Sequence, residues 1–257
     1  MIPARTAPAR TAPASTAPAR TARARTALAR IEALIFDKDG TLFDFRASWG
    51  AWTESLLAEL APGSAELAAV LGYCPRRHQF APDSPVIAMT TPEIADLLLP
   101  HLPGVSRAGL NARMSALAVA APMVPTVDLP KVLGGLRARG LPLGLATNDT
   151  ETPARTHLAK AGVLEMFSFV AGCDSGFGGK PAPGQLLAFL THTGLPPQNV
   201  AMVGDSRHDL EAGRAAGMWR VAVLTGIAEA AELAPHADVV LPDISHLAGW
   251  IDGLPSR

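Results

Sequence analysis

Asp37 and Asp39 stand two residues apart behind the apolar run Ala33-Leu34-Ile35-Phe36, and an extended backbone sends both side chains to the same side. Adjacent carboxylates repel unless a cation or a shared proton intervenes. A third acid, Asp205, follows a second apolar run, Val200-Ala201-Met202-Val203. Three carboxylates arriving from two such runs suit a hard divalent cation held by oxygens, magnesium above all, and magnesium would in turn neutralise a phosphate. Two further polar clusters lie in comparable places: Thr147-Asn148-Asp149 behind Leu141 to Ala146, and Gly178-Gly179-Lys180-Pro181. Each has a plainer reading. Asp37-Lys38-Asp39-Gly40-Thr41 alone is equally a turn with a side-chain cap. Thr147 can simply end a strand, Lys180 can be a solvated loop residue, and Asp209 can be the acid of a capping box opened by Ser206.

What must position these groups is a parallel sheet. From residue 33 the chain alternates short, nearly charge-free apolar runs with polar turns and helically spaced segments, the rhythm of βαβ units. The predicted strands are Ala33–Phe36, Leu141–Ala146, Phe167–Ala171, Val200–Val203, Val221–Leu224 and Val239–Leu241. Such runs suit strands covered on both faces. In open α/β sheets the ligand crevice lies beyond the carboxyl ends of the strands, where the polar clusters fall. The rhythm lapses between Phe45 and Pro125. There the spacing of Trp49, Trp52, Leu56, Leu57 and Leu60 is helical, with further helices expected around Ala65–Leu71, Pro92–Leu99 and Arg107–Val119. The expected architecture is therefore α/β, a Rossmann-like parallel sheet core (31–45 and 126–257) with an inserted helical cap (46–125). Residues 1–30, an imperfect repeat of Ala, Pro, Arg and Thr, form an expected disordered tail.

Asp37-Lys38-Asp39-Gly40-Thr41, Thr147, Lys180-Pro181 and Gly204-Asp205-Ser206 with Asp209 resemble, in order, the four motifs of the haloacid dehalogenase superfamily, and the match spans residues 33 to about 245. The insert after the first motif resembles the helical-cap branch that contains phosphoglycolate phosphatases, β-phosphoglucomutase and phosphonatase. The resemblance implies a covalent mechanism: Asp37 attacks phosphorus, and Asp39 protonates the leaving oxygen and then activates water. It also implies magnesium on the Asp37 carboxylate, the Asp39 carbonyl and Asp205, with Thr147, Asn148 and Lys180 on the transferring phosphoryl group. Asp209 would orient Asp205 or a metal-bound water.

Related activities separate on single residues. Dehalogenases lack the second acid of the first motif, and Asp39 is present here. The lysines are Lys38, Lys131, Lys160 and Lys180, so no lysine lies in the insert for a phosphonatase Schiff base, and a mutase reading weakens for the same reason. The expected activity is magnesium-dependent hydrolysis of a small-molecule phosphate monoester, phosphoglycolate-like or a sugar phosphate. Arg46 and the Arg76-Arg77-His78 cluster are the insert residues that could read an anion. The alternatives are a phosphomutase and a phosphoaspartate-based regulatory or binding module without turnover.

The chain has 257 residues, 48% of them hydrophobic and 18% charged, which excludes a mainly disordered protein. Beyond residue 30 stand 16 Lys and Arg against 23 Asp and Glu, a net charge of −7. Such a body is a poor partner for nucleic acid or an anionic membrane. No membrane-spanning run occurs, and Cys74 and Cys173 lie far apart, so a reducing cytoplasm is the expected location. The sequence leaves the oligomeric state open.

Overall fold

The structure is a computed structural model that describes residues 30–254; the expected tail at residues 1–30 lies, but for Arg30, outside them. Six strands form one parallel sheet: β1 (Ala33–Phe36), β4 (Leu143–Ala146), β5 (Phe169–Ala171), β6 (Val200–Gly204), β7 (Trp219–Val223) and β8 (Val239–Leu241), in the order β5-β4-β1-β6-β7-β8. A small antiparallel pair, β2 (Tyr73–Cys74) and β3 (Gln79–Phe80), lies apart. Central β1 pairs with β4 on one side and β6 on the other, Ile35 facing Gly144 and Met202. All four residues of β1 are buried, as its charge-free sequence requires between two helical layers.

The predicted strands are all present, three of them with shifted starts. β4 begins at Leu143, because Pro142 has no N–H for the ladder, although its carbonyl already accepts from Leu34 N–H at 3.1 Å. Phe167 closes a helical turn onto the Leu164 carbonyl, so β5 starts two residues later. β7 starts two residues early. Trp219 is buried there, and the charge of Arg220 is answered by Asp238 at 2.7 Å.

Between β1 and β4 run α1 (Phe45–Leu60), α2 (Ala65–Val70), α3 (Pro85–Ala88), α4 (Thr91–Leu98), α5 (Arg107–Ala120) and α6 (Leu129–Ala138). Then follow α7 (Glu151–Lys160), α8 (Gly184–Thr193), α9 (Arg207–Ala215), α10 (Ala230–Leu233) and α11 (Leu247–Asp252). Side-chain caps fix several starts: Asp44 accepts from Ala47 N–H at 2.8 Å and Ser106 from Gly109 N–H at 3.1 Å. The apolar side chains of α1 to α5 form their own cluster around Trp52, Leu56, Leu98, Leu110 and Met114, separate from the two clusters that cover the sheet faces. The chain leaves and re-enters the sheet layer along paired backbones. Asp44 N–H donates to the Val124 carbonyl at 2.7 Å, and Thr126 N–H to that of Leu42 at 3.0 Å. No helix among the described residues is long and apolar enough to cross a membrane.

Candidate active site

The site is built where β1 stops. Asp37 N–H still donates to the Val203 carbonyl at 2.8 Å, holding the residue in register with β6, and the chain turns immediately afterwards. The turn is closed by Leu42 and Phe43 N–H groups on the Lys38 carbonyl, at 2.9 and 3.1 Å. Gly40 carries a φ of +89° in this turn, and a Cβ on it would overlap the Asp205 carboxylate. A Cβ on Gly226, in the loop after β7, would strike the same carboxylate. Thr225 Oγ1 beside it donates to the Gly40 carbonyl at 2.6 Å. Two backbones without side chains thus make room for Asp205.

Asp37, Asp205 and Asp209 converge from β1, the end of β6 and α9, with one oxygen of each within 4.8 Å of the others. All three are buried. The Lys180 ammonium sits among them, 2.5 Å from Asp37 and 2.7 Å from Asp209 Oδ1. The other Asp209 oxygen accepts from Ser206 N–H and Oγ at 3.0 and 2.7 Å, closing a capping box at the start of α9. One side chain thus caps the helix and anchors the lysine. Burial, with Asp209 and Asp39 nearby, lifts the Asp37 carboxyl to about 7 against the pull of Lys180. Asp205 is raised well above its ordinary value, by burial and then by Asp37. Beyond Thr41 Oγ1 at 3.2 Å, Asp205 faces the acids Asp37 and Asp209, with Lys180 only partly opposing them. Three buried carboxylates share one ammonium, and an all-oxygen donor set with such an excess of negative charge fits magnesium.

Asp39 faces a second charged group. Lys38, fully buried, pairs with Asp149, lies 3.4 Å from Asp39, and donates to Nδ1 of His157 at 3.1 Å. The opposite ring nitrogen, Nε2, reaches the Ala118 carbonyl at 2.7 Å. These partners assign the tautomer: neutral, with the proton on Nε2. Burial, then Lys38, pulls the imidazole down to about 4. Burial raises the Asp39 carboxyl, while Lys38 and the Trp49 indole oppose the rise. Asp39 Oδ1 and Trp49 Nε1 are both buried without a hydrogen-bond partner.

A family profile described as haloacid dehalogenase-like hydrolase matches residues 31–217. The chain belongs to that family. As a haloacid dehalogenase-like hydrolase it is 38% identical over 125 residues to phosphoglycolate phosphatase of Escherichia coli K12, a match covering 48% of this chain and 49% of the relative. The chain spans about half the length of the curated relatives it matches. A predicted phosphoglycolate phosphatase from Haemophilus somnus superposes with a TM-score of 0.65 at 19% identity, covering 86% of this chain and 97% of that one. A β-phosphoglucomutase from Clostridium difficile gives 0.60 at 19%, covering 86% and 96%. At such identities the likeness is one of fold.

The structure of this hydrolase brings Asp37, Asp39, Thr147, Asn148, Lys180, Asp205 and Asp209 to one crevice. Thr147 is buried at the end of β4, its Oγ1 accepting from Asp149 N–H at 3.1 Å. The Asn148 side chain is already engaged: Nδ2 donates to the Ala88 and Lys180 carbonyls at 2.7 and 2.9 Å, and Oδ1 accepts from Lys180 N–H at 2.8 Å. These bonds hold the side-chain amide within the fold, so the expected contact of the Asn148 amide with a phosphoryl oxygen would be made by its backbone N–H. The expectation for Arg46 is corrected. It is exposed at the start of α1 and does not line the crevice. Arg76, Arg77 and His78 are exposed beyond β2, with His78 paired to Glu54. Sequence reasoning passed over Lys38, Asp149, His157, the Thr225-Gly226 loop and His208, which lines the crevice from the first turn of α9.

Proposed function

We propose that this hydrolase cleaves small-molecule phosphate monoesters by way of a phosphorylated Asp37. The observation that carries the reading is the convergence of Asp37, Asp205, Asp209 and Lys180 in one buried cluster with Asp39 beside it. Asp37, held in sheet register, attacks phosphorus in its deprotonated form, which Lys180 favours, and the ester oxygen leaves with a proton from Asp39. The raised Asp39 carboxyl suits that donation. Once the alcohol has gone, Asp39 takes a proton from water as the water attacks the aspartyl phosphate, releasing phosphate and restoring Asp37. Lys180 stabilises charge on the transferring oxygens, assisted by Thr147 Oγ1. Asp37 and Asp205 would hold magnesium, with the Asp39 carbonyl as a third protein ligand, while Asp209 keeps Lys180 and the start of α9 in place. Magnesium bound there would neutralise phosphoryl oxygens and offset the repulsion among the acids. The relatives named phosphoglycolate phosphatases support an ester of this size. A mutase would need a cation of the insert at the crevice to hold a second phosphate, and none of the insert's arginines lines it.

The experiment is phosphate release from small phosphate esters with and without magnesium, beside Asp37→Asn. Turnover is expected only with magnesium, and the variant should fall by at least ~10³-fold, the scale of losing a nucleophile that acts within a unit. Stoichiometric phosphorylation without turnover would replace hydrolysis by a phosphoaspartate switch.

A further inference from the structure

The two ends of the crevice have opposite chemistry. Its floor is charged, whereas the wall supplied by α1, α3, α4 and α5 is mainly apolar, with Trp49, Val86, Ile87, Met89 and Ile94, and its polar side chain is the uncharged Thr91. None of these carries a charge. All five arginines between residues 45 and 125 are exposed and none lines the crevice. Two of them already face acids, Arg107 with Asp96 at 2.5 and 2.7 Å and Arg113 with Glu59 at 3.8 Å. A carboxylate on the leaving group would therefore be buried against an apolar wall with no counterion, close to the acids Asp39 and Asp149. Lys180, the one lysine or arginine among the lining residues, comes from the floor.

Two buried polar atoms that face each other at this end, with no other partner, point the same way. Trp49 Nε1 is a buried donor and Asp39 Oδ1 a buried acceptor. A hydroxyl satisfies both, accepting from the indole and donating to the carboxylate. The crevice opens to solvent around a cavity of about 50 Å³.

We propose that the leaving group this crevice takes is a compact, uncharged, largely apolar alcohol, and that its cap wall selects against carboxylated and doubly phosphorylated esters. The inference rests on the phosphatase reading and narrows its substrate class. The name shared by the curated relatives would then not describe this chain's preferred ester.

Three esters of matched size test it: n-propyl phosphate, phosphoglycolate and the carboxamide of phosphoglycolate, each assayed for kcat/KM with saturating magnesium. The neutral esters are expected to exceed phosphoglycolate by tenfold or more. In Met89→Arg, which places a cation on the wall at an already exposed position, the ratio should move at least fivefold toward phosphoglycolate. Phosphoglycolate turned over as well as or better than its carboxamide by the wild type overturns the proposal and leaves the phosphatase standing. Absence of turnover on all three, with magnesium bound and the fold intact, overturns the phosphatase reading and this proposal with it.

Discussion

At the residue scale the site contains two lysines with different tasks. Lys180 balances the acids that surround phosphorus. Lys38 points the other way, to Asp149, with Asp39 at 3.4 Å and the Trp49 ring 5.4 Å from its ammonium. Burial pulls this ammonium down, and Asp149 and Asp39 outweigh burial, so it stays charged. That charge is what restrains the rise of the Asp39 carboxyl. In Lys38→Met the Asp39 carboxyl loses this cation, and the limb of the pH–kcat profile that reports it should move up by about one unit or more, the scale of an opposite charge removed at contact distance. The same change leaves Asp149 buried without its partner, at a cost of about 3–5 kcal/mol. A profile that stays in place while stability falls would confine Lys38 to folding.

At the element scale the insert helices meet the sheet layer through backbone carbonyls. Ala118, at the end of α5, accepts from His157 of α7, and the next carbonyl, Val119, accepts from Lys160 at 2.7 Å. His157 is fully buried and held near 4, below the ordinary 6.5. The unfolded chain takes up a proton at 6.5 that the folded chain refuses until about 4. The stability this imidazole contributes is therefore complete above pH 6.5 and is lost as pH falls toward 4, about 2 kcal/mol of it by pH 5. Urea unfolding at pH 7 and pH 5 should show this loss in the wild type and a smaller one in His157→Gln. Equal losses would mean that the ring already titrates as it does in water.

Elements of this length are also what a sequence shows best. Six charge-free runs are visible as strands, β1, β4 and β6 because they are buried throughout and the half-buried edge strand β8 by its apolar run alone, and α1 and α5 are visible by their apolar spacing. The pair β2 and β3, with two residues per strand, and the four-residue α3 carry too few positions to display a period. The motif acids could be read because each follows a strand, and a parallel sheet brings its strand ends together. Lys38, Asp149 and His157 could not be read as a set. Each is an ordinary residue in its own segment, and only the packing of β1, β4 and α7 joins positions more than 100 apart. Arg46 misled because a charge near a motif says nothing about which face of its helix it takes. Gly226 has no side chain to notice, and its contribution is the space it leaves for Asp205.

At the scale of the whole molecule, charge makes binding of a phosphate dianion conditional. The body beyond residue 30 carries 23 acids against 16 basic residues, and the floor of its crevice sets Asp37, Asp205 and Asp209 against one lysine. A dianion approaching that floor without magnesium meets like charge, and magnesium arriving without a phosphate leaves part of its coordination to water. Each ligand supplies what the other lacks, so their binding must be coupled, and linkage requires the same factor in both directions. Calorimetric titration of magnesium with and without inorganic phosphate should show an affinity gain of about 5–150-fold, the usual range of such coupling. Titration of phosphate with and without magnesium should return that same factor. Phosphate binding of equal strength in both cases would place the anion away from the carboxylate cluster and disconnect the floor of the crevice from phosphoryl chemistry.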